Sequence, residues 1–425
     1  MTQRSLPEWL AYLETLHPKS IALGLARVRE VYERLGIAFD VPVVVVTGTN
    51  GKGSTCAFLE AMLGAAGYRV GLYTSPHLTR YNERVRIAGA DVDDAALVAA
   101  FERVERARTA STPATPLTYF EFGTLAALLL FAAAPLDALV LEVGLGGRLD
   151  AVNLVDADVA VITNVDLDHQ DYLGNTRESI GFEKAGILRA GRPAVIGERE
   201  PPDSVIAHAA ALGASPCRLG HEFDYVDQGT QWRYRGPGGE RFGLPVPALR
   251  GRYQLANAAT AMAALDLLRA RLPLDAGAIR AGLAGVTLRG RFQVLPGRPS
   301  IVLDVAHNPH AAQRLAATLG DMGYHPRTFA AFGMLCDKDI DGVIDALRPR
   351  VDDWRVATLP GPRGARADDL AQRLRARGVA PSAIATFGDV PAALAAARGE
   401  AHEADRIVVF GSFLTVAAAL TALSR

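Results

Sequence analysis

Lysine is scarce in this chain of 425 residues. Of its 45 basic residues only Lys19, Lys52, Lys184 and Lys338 are lysine. A guanidinium is planar and stays charged, whereas a lysine amine is a compact point charge that can become a neutral nucleophile. Because arginine supplies positive charge almost everywhere else, a lysine that is present marks a place where a guanidinium would not serve. We therefore treat Lys52 and Lys184 as candidate functional residues.

The chain also has few cysteines, a net charge close to zero and no long apolar run. The three cysteines are odd in number and far apart, which favours unpaired thiols in a reducing compartment over a disulfide framework. A net charge of −1 gives no global basic field for nucleic acid or anionic membranes. The sequence shows neither a secretory signal pattern nor an apolar run long enough to span a bilayer. We expect a cytoplasmic protein without a nucleic-acid or membrane partner.

Apolar β-type runs alternate with helix-period segments along most of the chain, which indicates an α/β fold with parallel sheets. The predicted strands lie near 42–47, 69–73, 138–142, 158–163, 193–197, 300–304, 328–333, 353–358 and 405–410. Short polar-aromatic pieces between 221 and 247 predict a small antiparallel excursion before a helix at 253–270. The Gly-, Pro- and Arg-rich segment 287–298 predicts a hinge between a large domain, 1–290, and a smaller α/β domain, 291–425.

The segment 43–55 predicts a phosphate-binding loop, because a β-branched run breaks into Gly-Lys-Gly and then opens a helical pattern. Backbone N–H groups of such a turn stabilise a polyphosphate, and Lys52 can reach its terminal groups. The generic spacing asks for Gly and Ser or Thr where this chain has Val46 and Gly53, which disfavours a GTPase or motor protein. A plain β-turn-α connection remains the alternative.

Polar residues follow three other strands of the first domain, where α/β proteins bind ligands. Ser75 and His77 follow one strand, Glu142 ends another, and Asp168 and His169 follow a third. A carboxylate such as Glu142 at a buried strand end needs a cation, and magnesium suits a hard oxygen ligand beside phosphates. Simple turns and an arginine ion pair remain the alternatives.

Lys184 lies early in a predicted helix, in Glu-Lys-Ala-Gly-Ile. A neutral amine can add carbon dioxide and become a carbamate, an oxygen donor for a metal, which arginine cannot easily do. In the second domain, Asp304 and His307 sit at a strand-to-helix turn where Asn308 and Pro309 start a helix. Arg291 in the hinge is placed to clamp a transferring phosphoryl group.

Together these motifs resemble the folylpolyglutamate synthase family over almost the whole chain. The motifs that carry the resemblance are Thr-Gly-Thr-Asn-Gly-Lys-Gly-Ser at 47–54, Thr-Ser-Pro-His at 74–77, Leu-Thr-Tyr-Phe-Glu at 117–121, Leu-Glu-Val-Gly-Leu-Gly-Gly-Arg-Leu-Asp at 141–150, Leu-Asp-His at 167–169, Glu-Lys-Ala-Gly-Ile at 183–187 and Asp-Val-Ala-His-Asn-Pro at 304–309. The resemblance implies a Mur-ligase-like α/β fold, with an ATPase domain on a mainly parallel sheet and a smaller glutamate-binding domain. It also implies a monomer that joins L-glutamate to dihydropteroate and to reduced folates through an acyl phosphate.

The resemblance assigns roles to individual residues. ATP binding is implied for Thr49, Asn50, Gly51, Lys52, Gly53, Ser54, Asn257, Arg291 and Asp304. Magnesium ligands are implied at Ser75, Glu142, His169 and a carbamylated Lys184; two magnesium ions are expected and a monovalent cation is left open. Substrate contacts are implied for Ser20, Ile21, Ala22, Thr118, Tyr119, Phe120, Glu121, Arg148, Leu149, Asp150 and Ser412. Catalytic roles are implied for Lys52, Lys184, Arg291 and His307.

One position departs from the family pattern. Bifunctional members carry an acidic residue in Ile-Asp-Leu-Gly-Leu, where this chain has Ala22. An enzyme that only extends folates is therefore an alternative. A Mur-type amino-acid ligase is another, although only about forty residues precede the loop, too few for the UDP-binding domain of those enzymes. A regulatory ATP-binding module is a third, but it would not need Asp304, His307 and Arg291.

Overall fold

The computed structural model describes residues 4–19 and 21–424. Its α-helices are α1 (Leu6–Thr15), α2 (Ala26–Leu35), α3 (Lys52–Ala65), α4 (Asp94–Arg108), α5 (Tyr119–Ala133), α6 (Gln170–Leu173), α7 (Arg177–Ala185), α8 (Asp203–Ala211), α9 (Tyr253–Leu267), α10 (Ala276–Gly285), α11 (Pro309–Asp321), α12 (Ile340–Leu347), α13 (Ala367–Ala376), α14 (Val390–Glu400) and α15 (Phe413–Leu423). Short 3₁₀ helices are Tyr81–Arg84, Ala151–Leu154, Arg348–Arg350 and Pro381–Ala383. None of the helices within these residues is both long and apolar enough to cross a membrane.

The strands of the described residues form three sheets. The strands are β1 (Val43–Thr47), β2 (Val70–Tyr73), β3 (Val85–Ile87), β4 (Ala90–Asp91), β5 (Ala138–Glu142), β6 (Val159–Ile162), β7 (Pro193–Ile196), β8 (Ser215–Arg218), β9 (Asp224–Asp227), β10 (Gln231–Gly236), β11 (Gly239–Pro245), β12 (Gln293–Leu295), β13 (Ser300–Leu303), β14 (Thr328–Phe332), β15 (Asp353–Ala357), β16 (Ile384–Phe387) and β17 (Arg406–Phe410). The chain forms two compact units, one comprising residues up to His77, Asn82–Ala248 and Leu255–Val286, the other Leu78–Tyr81, Leu249–Gln254 and the chain from Thr287.

The first unit contains an eight-stranded sheet in the order β4-β3-β2-β5-β1-β6-β7-β8. The six strands from β2 to β8 run parallel, and β3 and β4 are antiparallel additions at the edge. Every residue of β1 and β5 is buried, as expected for central strands covered by helices on both faces. The prediction of a mainly parallel sheet is confirmed.

A separate antiparallel sheet, in the order β11-β10-β9, also belongs to the first unit. It occupies the predicted excursion between 221 and 247. Trp232 and Tyr234, two residues apart in β10, are both fully buried, whereas the residues on either side of them are more exposed. The hydroxyl of Tyr234 donates to the buried carboxylate of Asp266 at 2.8 Å, which ties this sheet to α9.

The second unit is a six-stranded sheet in the order β12-β13-β17-β14-β15-β16, parallel except for β12. Successive residues of its strands point into two different hydrophobic clusters. Phe329 and Ala331 belong to one cluster, and Ala330 and Phe332 belong to the other. The sheet is therefore covered on both faces, which makes this unit a second α/β layer structure.

All nine predicted strands of the two parallel sheets are present, within one or two residues of the predicted bounds. Strands β3, β4, β8, β12 and β16 were not predicted. They are two to four residues long, and most of their residues are only partly buried. Such strands lack a continuous apolar run, so their pairing depends on neighbours that are distant in sequence. One of them, β12, lies within the segment interpreted as a hinge.

Candidate active site

The strand order brings the predicted motifs of the first unit to one edge of its sheet. In the order β2-β5-β1-β6-β7 the carboxyl ends of five parallel strands lie side by side. The loops that follow these strands are 74–77 after β2, 143–150 after β5, 48–51 after β1, 163–169 after β6 and 197–200 after β7. Ligands of open α/β sheets bind at this edge. The sequence motifs thus become neighbours although they are up to about 120 residues apart in the chain.

The glycine-rich loop has the backbone of a phosphate cradle. Gly48 and Gly51 have φ of +154° and +86°, and α3 begins directly after them at Lys52. A Cβ on Gly48 would lie 1.8 Å from the hydroxyl of Thr163, so no larger residue fits there. Lys52 Nζ donates to the carbonyl of Gly48 at 3.0 Å, which keeps the ammonium over the loop.

Residues after β6 hold this loop. Asn164 Oδ1 accepts from the N–H of Asn50 at 3.0 Å, and Asn164 Nδ2 donates to the carbonyl of Asn50 at 2.8 Å. The hydroxyl of Thr163 donates to the same carbonyl at 2.6 Å. Thr49 Oγ1 exchanges hydrogen bonds with Asp166, so the predicted ATP residue Thr49 also braces the β6 loop. The bracing role of Thr163 and Asn164 was not predicted, because only pairing of β1 with β6 brings them to the loop.

Asn257, predicted on resemblance alone, lies against the loop. It is buried in α9, and a Cβ on Gly51 would lie only 2.5 Å from Asn257 Oδ1. Ser54, in the first turn of α3, is buried as well, whereas Gly53 is partly exposed. The glycine at 51 therefore leaves space into which the amide of Asn257 projects. These residues fit a bound nucleotide phosphate, since an anion gains both the helix N-terminus and side-chain donors there.

The predicted metal residues come from four places in the chain: Ser75 follows β2, Glu142 ends β5, His169 follows β6 and Lys184 lies on α7. The N–H of Ser75 donates to Glu142 Oε2 at 3.0 Å, and Glu142 is only 4% exposed. His169 adopts a left-handed backbone conformation, with φ of +51°, at the start of α6. Within residues 4–19 and 21–424, no cluster of three or more His, Cys, Asp or Glu side chains forms a ready-made metal site. The predicted set is of another kind, because it combines one carboxylate and one imidazole with a hydroxyl and a lysine.

Lys184 is 3% exposed on α7, which excludes a solvated surface role. Burial and then the nearby cation of Lys52 lower the pKa of Lys184 to about 7, although Asp168, Glu198 and Asp150 act in the opposite direction. Much of the amine is therefore neutral near pH 7, the form that adds carbon dioxide. A carbamate would supply the oxygen donors that magnesium prefers.

His77 is held in a defined protonation state. Arg84 Nε donates to His77 Nδ1 at 2.8 Å, so the ring proton is on Nε2. Burial and then the Arg84 cation lower the pKa of His77 to about 4. The same guanidinium lies 5.7 Å from the ring centre of Tyr119. His77 is therefore a neutral hydrogen-bond donor beside the predicted substrate residues.

The segments predicted to contact the substrate are tied together. Glu121 pairs with Arg27 at 2.7 Å and accepts from Thr118 N at 2.8 Å in the capping box of α5. Arg27 also donates to the carbonyl of Ala22. The N–H of Gly24 donates to the carbonyl of Leu149 at 3.3 Å. The structure thereby brings the Ile21–Ala22, Thr118–Glu121 and Arg148–Asp150 segments together, whereas Ser20 lies outside the described residues.

Asp150 and Phe120 complete this region. Asp150 accepts from the N–H groups of Leu145 and Val152, both at 2.9 Å, and burial raises its pKa to about 7. Phe120 covers Gly144 after β5, since a Cβ on Gly144 would lie 2.5 Å from its ring. A planar ligand beside Phe120 and Asp150 would meet one aromatic ring and one carboxyl group.

The predicted residues of the second unit also form one cluster. Asp304 accepts from the N–H groups of Phe292 and Ala306, both at 2.8 Å, and burial raises its pKa. The guanidinium of Arg291 lies 4.9 Å from the ring centre of Phe413, and the ring of His307 lies 6.1 Å from it. Ser412 is buried and caps α15 by accepting from Leu414 N. Phe413 was not predicted, because its contacts with Arg291 and His307 depend on the pairing of β13 with β17.

Comparison with known proteins shows the family to which the chain belongs. Residues 46–265 match the family described as Mur ligase middle domain, and residues 290–413 match the one described as Mur ligase, glutamate ligase domain. The Escherichia coli dihydrofolate synthase/folylpolyglutamate synthase is 48% identical, over 97% of this chain and 94% of that protein.

Solved structures of such proteins superpose on the whole chain. One is Escherichia coli FolC in complex with DHPP and ADP, with a TM-score of 0.92 and 47% identity, covering 99% of this chain and 98% of that one. Another is a bifunctional folylpolyglutamate synthase/dihydrofolate synthase with Mn, AMPPNP and L-glutamate bound, with a TM-score of 0.90, 48% identity and coverage of 99% and 98%. This chain belongs to the dihydrofolate synthase/folylpolyglutamate synthase family of Mur-type ligases.

Proposed function

We propose that this protein is an ATP-dependent ligase that joins L-glutamate to dihydropteroate, giving dihydrofolate, and adds further glutamates to reduced folates. The single observation that carries the proposal is the placement of the phosphate loop, Glu142 and His169 at the carboxyl ends of neighbouring strands, with buried Lys184 close to Lys52 and Asp168, in a chain 48% identical to a bifunctional enzyme of that name.

The nucleotide end of the reaction is assigned to the first unit. Backbone N–H groups of Thr49–Gly53 and the start of α3 bind the ATP phosphates, with Lys52 at the terminal groups and Asn257 against the loop. Ser75, Glu142, His169 and the Lys184 carbamate hold magnesium, which offsets charge on the transferring group when bound. We take ATP and magnesium as the cofactors for these reasons.

The substrate end uses the region around Phe120 and Asp150, with the Arg148–Asp150 loop as its border. A carboxylate of dihydropteroate or of a reduced folate accepts the γ-phosphoryl group of ATP, which releases ADP and forms an acyl phosphate. The amino group of glutamate then attacks the acyl carbon, loses a proton and displaces inorganic phosphate, which leaves the amide. Positioning and electrostatic stabilisation do most of this work. In the second unit, the family resemblance supports a role for Arg291 and Asp304 in ATP binding, for His307 in catalysis and for Ser412 in substrate binding.

The test is ATP turnover by the purified protein with glutamate and each pterin substrate. We expect ADP release to require L-glutamate together with one pterin substrate, either dihydropteroate or a reduced folate. The product should be heavier than that pterin substrate by one glutamyl residue. Turnover with reduced folate but not dihydropteroate would indicate an enzyme that only extends folates. Turnover with neither would refute the proposal. We also propose a monomeric, cytoplasmic protein, which light scattering and cell fractionation would test.

A further inference from the structure

Arg177 and Glu198 form an ion pair outside the predicted site, and both bind the backbone of one buried residue, Val165. The N–H of Val165 donates to Glu198 Oε1 at 2.9 Å, and Arg177 Nε donates to the carbonyl of Val165 at 2.9 Å. Arg177 Nη2 donates to the second oxygen of Glu198 at 2.9 Å. Both backbone groups of Val165, which is 2% exposed, are thus satisfied by two side chains that also bind each other.

The pair connects three segments that lie at or beside the carboxyl ends of the parallel strands. Val165 belongs to the β6 loop, Glu198 to the β7 loop, and Arg177 is the first residue of α7. Arg177 also donates to the carbonyl of Glu200 at 2.9 Å. Lys184 lies seven residues beyond Arg177, about two turns along the same face of the helix. The pair therefore joins the helix that carries Lys184 to the loop that carries His169.

Two adjacent residues of the β6 loop are anchored to different partners. The N–H of Asp166 donates to Thr49 Oγ1 at 2.9 Å, which links the loop to the phosphate cradle. Val165 is bound to the ion pair. Three residues beyond Asp166, His169 has the left-handed backbone that non-glycine residues adopt only where the surroundings impose it. The two anchors therefore fix the start of the short segment that positions His169.

We propose that Arg177 and Glu198 are positioning residues that set the separation of His169 and Lys184, and through it the affinity of the site for a divalent metal. This inference rests on the proposed metal-binding role of His169 and Lys184. Outer partners of metal ligands typically change metal affinity by about 10- to 100-fold when they are removed. Partly exposed ion pairs, by contrast, contribute little to stability. The side chain of Arg177 is 44% exposed and that of Glu198 15%, so the ion pair itself should add little to the free energy of unfolding. A pair without a positioning role would leave metal affinity unchanged.

The test measures equilibrium binding of Mn²⁺ to the full chain by electron paramagnetic resonance, with AMPPNP present. Burial raises the pKa of Glu198 to about 7, so the measurement is made at pH 8.5, where the carboxylate is ionised. We expect Arg177→Gln to weaken Mn²⁺ binding about 10- to 100-fold. We also expect faster amide hydrogen exchange in residues 163–173, with an unchanged KM for L-glutamate.

Glu198→Gln is the second variant. Its amide oxygen still accepts from Val165 N but leaves Arg177 without a carboxylate, so we expect a smaller loss. The matched control is Arg199→Gln, which removes the neighbouring ion pair of Arg199 with Asp224, 2.6 Å long and outside the β6 loop. We expect the control to bind Mn²⁺ like the unmodified protein.

The outcomes separate the two proposals. If His169→Ala weakens Mn²⁺ binding and both Arg177→Gln and Glu198→Gln bind within twofold of the unmodified protein, the positioning role is refuted and the metal site stands. If His169→Ala also leaves binding unchanged, the proposed metal site fails and the positioning role fails with it. If Arg199→Gln and Arg177→Gln lose Mn²⁺ affinity to the same extent, the loss reflects the removal of a positive charge in general, and the inference is refuted.

Discussion

The backbone N–H of Ser75 donates to the buried carboxylate of Glu142 at 3.0 Å. Glu142 is the last residue of β5 and Ser75 lies two residues beyond the neighbouring parallel strand β2, although 67 positions separate them in the chain. The bond orients the carboxylate of Glu142 and aligns the Ser75 segment with it. A carboxylate and a hydroxyl held in this way suit a hard cation beside phosphates.

Lys52→Arg should abolish ligation although the charge is kept. The planar guanidinium is larger than the ammonium and does not fit a loop shaped by Gly51 and Gly53. We expect kcat to fall by about 100- to 1,000-fold, as for loss of one preorganised electrostatic contact. Steady-state ADP release measures this, with the exposed Lys19→Arg as control. Near-normal activity of Lys52→Arg would remove the basis for the phosphate-loop assignment.

Lys184→Ala should lose metal-dependent turnover. Added bicarbonate should not restore it, because the variant has no amine to carbamylate, whereas small carboxylic acids should restore part of it by supplying oxygen donors in the vacated space. Turnover with and without formate or acetate measures the rescue. Full activity of the unrescued variant would show that Lys184 has no part in the reaction.

Activity of the unmodified protein should depend on carbon dioxide and pH together. The pKa of Lys184 is lowered to about 7, so the neutral amine dominates above pH 7 and the ammonium below it. Only the amine adds carbon dioxide, and the carbamate should therefore be lost as the pH falls through 7. We expect protein kept in carbon-dioxide-free buffer at pH 6 to lose activity and to regain it with bicarbonate at pH 8. Carbon-13 spectra with labelled bicarbonate should show one carbamate signal, absent in Lys184→Ala.

We expect the residue at position 22 to determine how tightly dihydropteroate binds. Glu121 is the nearest candidate among the motifs to replace the missing acidic residue, but its oxygens are already bound by Arg27 and Thr118. We therefore expect both activities, with a weakened KM for dihydropteroate. Ala22→Asp should lower that KM by about ten- to a hundredfold, which corresponds to the free energy of one charged hydrogen bond. The KM for a reduced folate and the neutral variant Ala22→Asn serve as controls. An unchanged dihydropteroate KM would show that Ala22 does not face the pterin.

Asp266→Ala should destabilise the protein without removing a site residue. The Asp266 carboxylate accepts from Tyr234 at 2.8 Å, from Gly238 N at 3.0 Å and from Arg241 at 2.6 Å, and it is buried. Breaking a buried pair leaves an uncompensated cation and costs about 3–5 kcal/mol. Urea unfolding measures the loss. The control, Asp224→Ala, breaks a more exposed pair with Arg199 and should cost less than about 1 kcal/mol.

Local sequence was sufficient for the elements that carry the site. Val43–Thr47 is a continuous β-branched run, and Asn308 caps α11 with Pro309 in its first turn, as predicted. Lysine scarcity identified Lys184, which the structure buries. Each of these features depends on residues adjacent in the chain, so pattern and composition were enough.

The sequence by itself determined the α/β class, the phosphate loop and the residue types available for metal and nucleotide binding. The tertiary structure alone decided which of them meet. The strand order β2-β5-β1-β6-β7 assembles the site edge, and the Arg177–Glu198 pair and the Arg27–Glu121 pair arise only where distant segments pack together. The pKa of Lys184 was likewise not readable in advance, because burial and the charge of Lys52 act through space rather than along the chain.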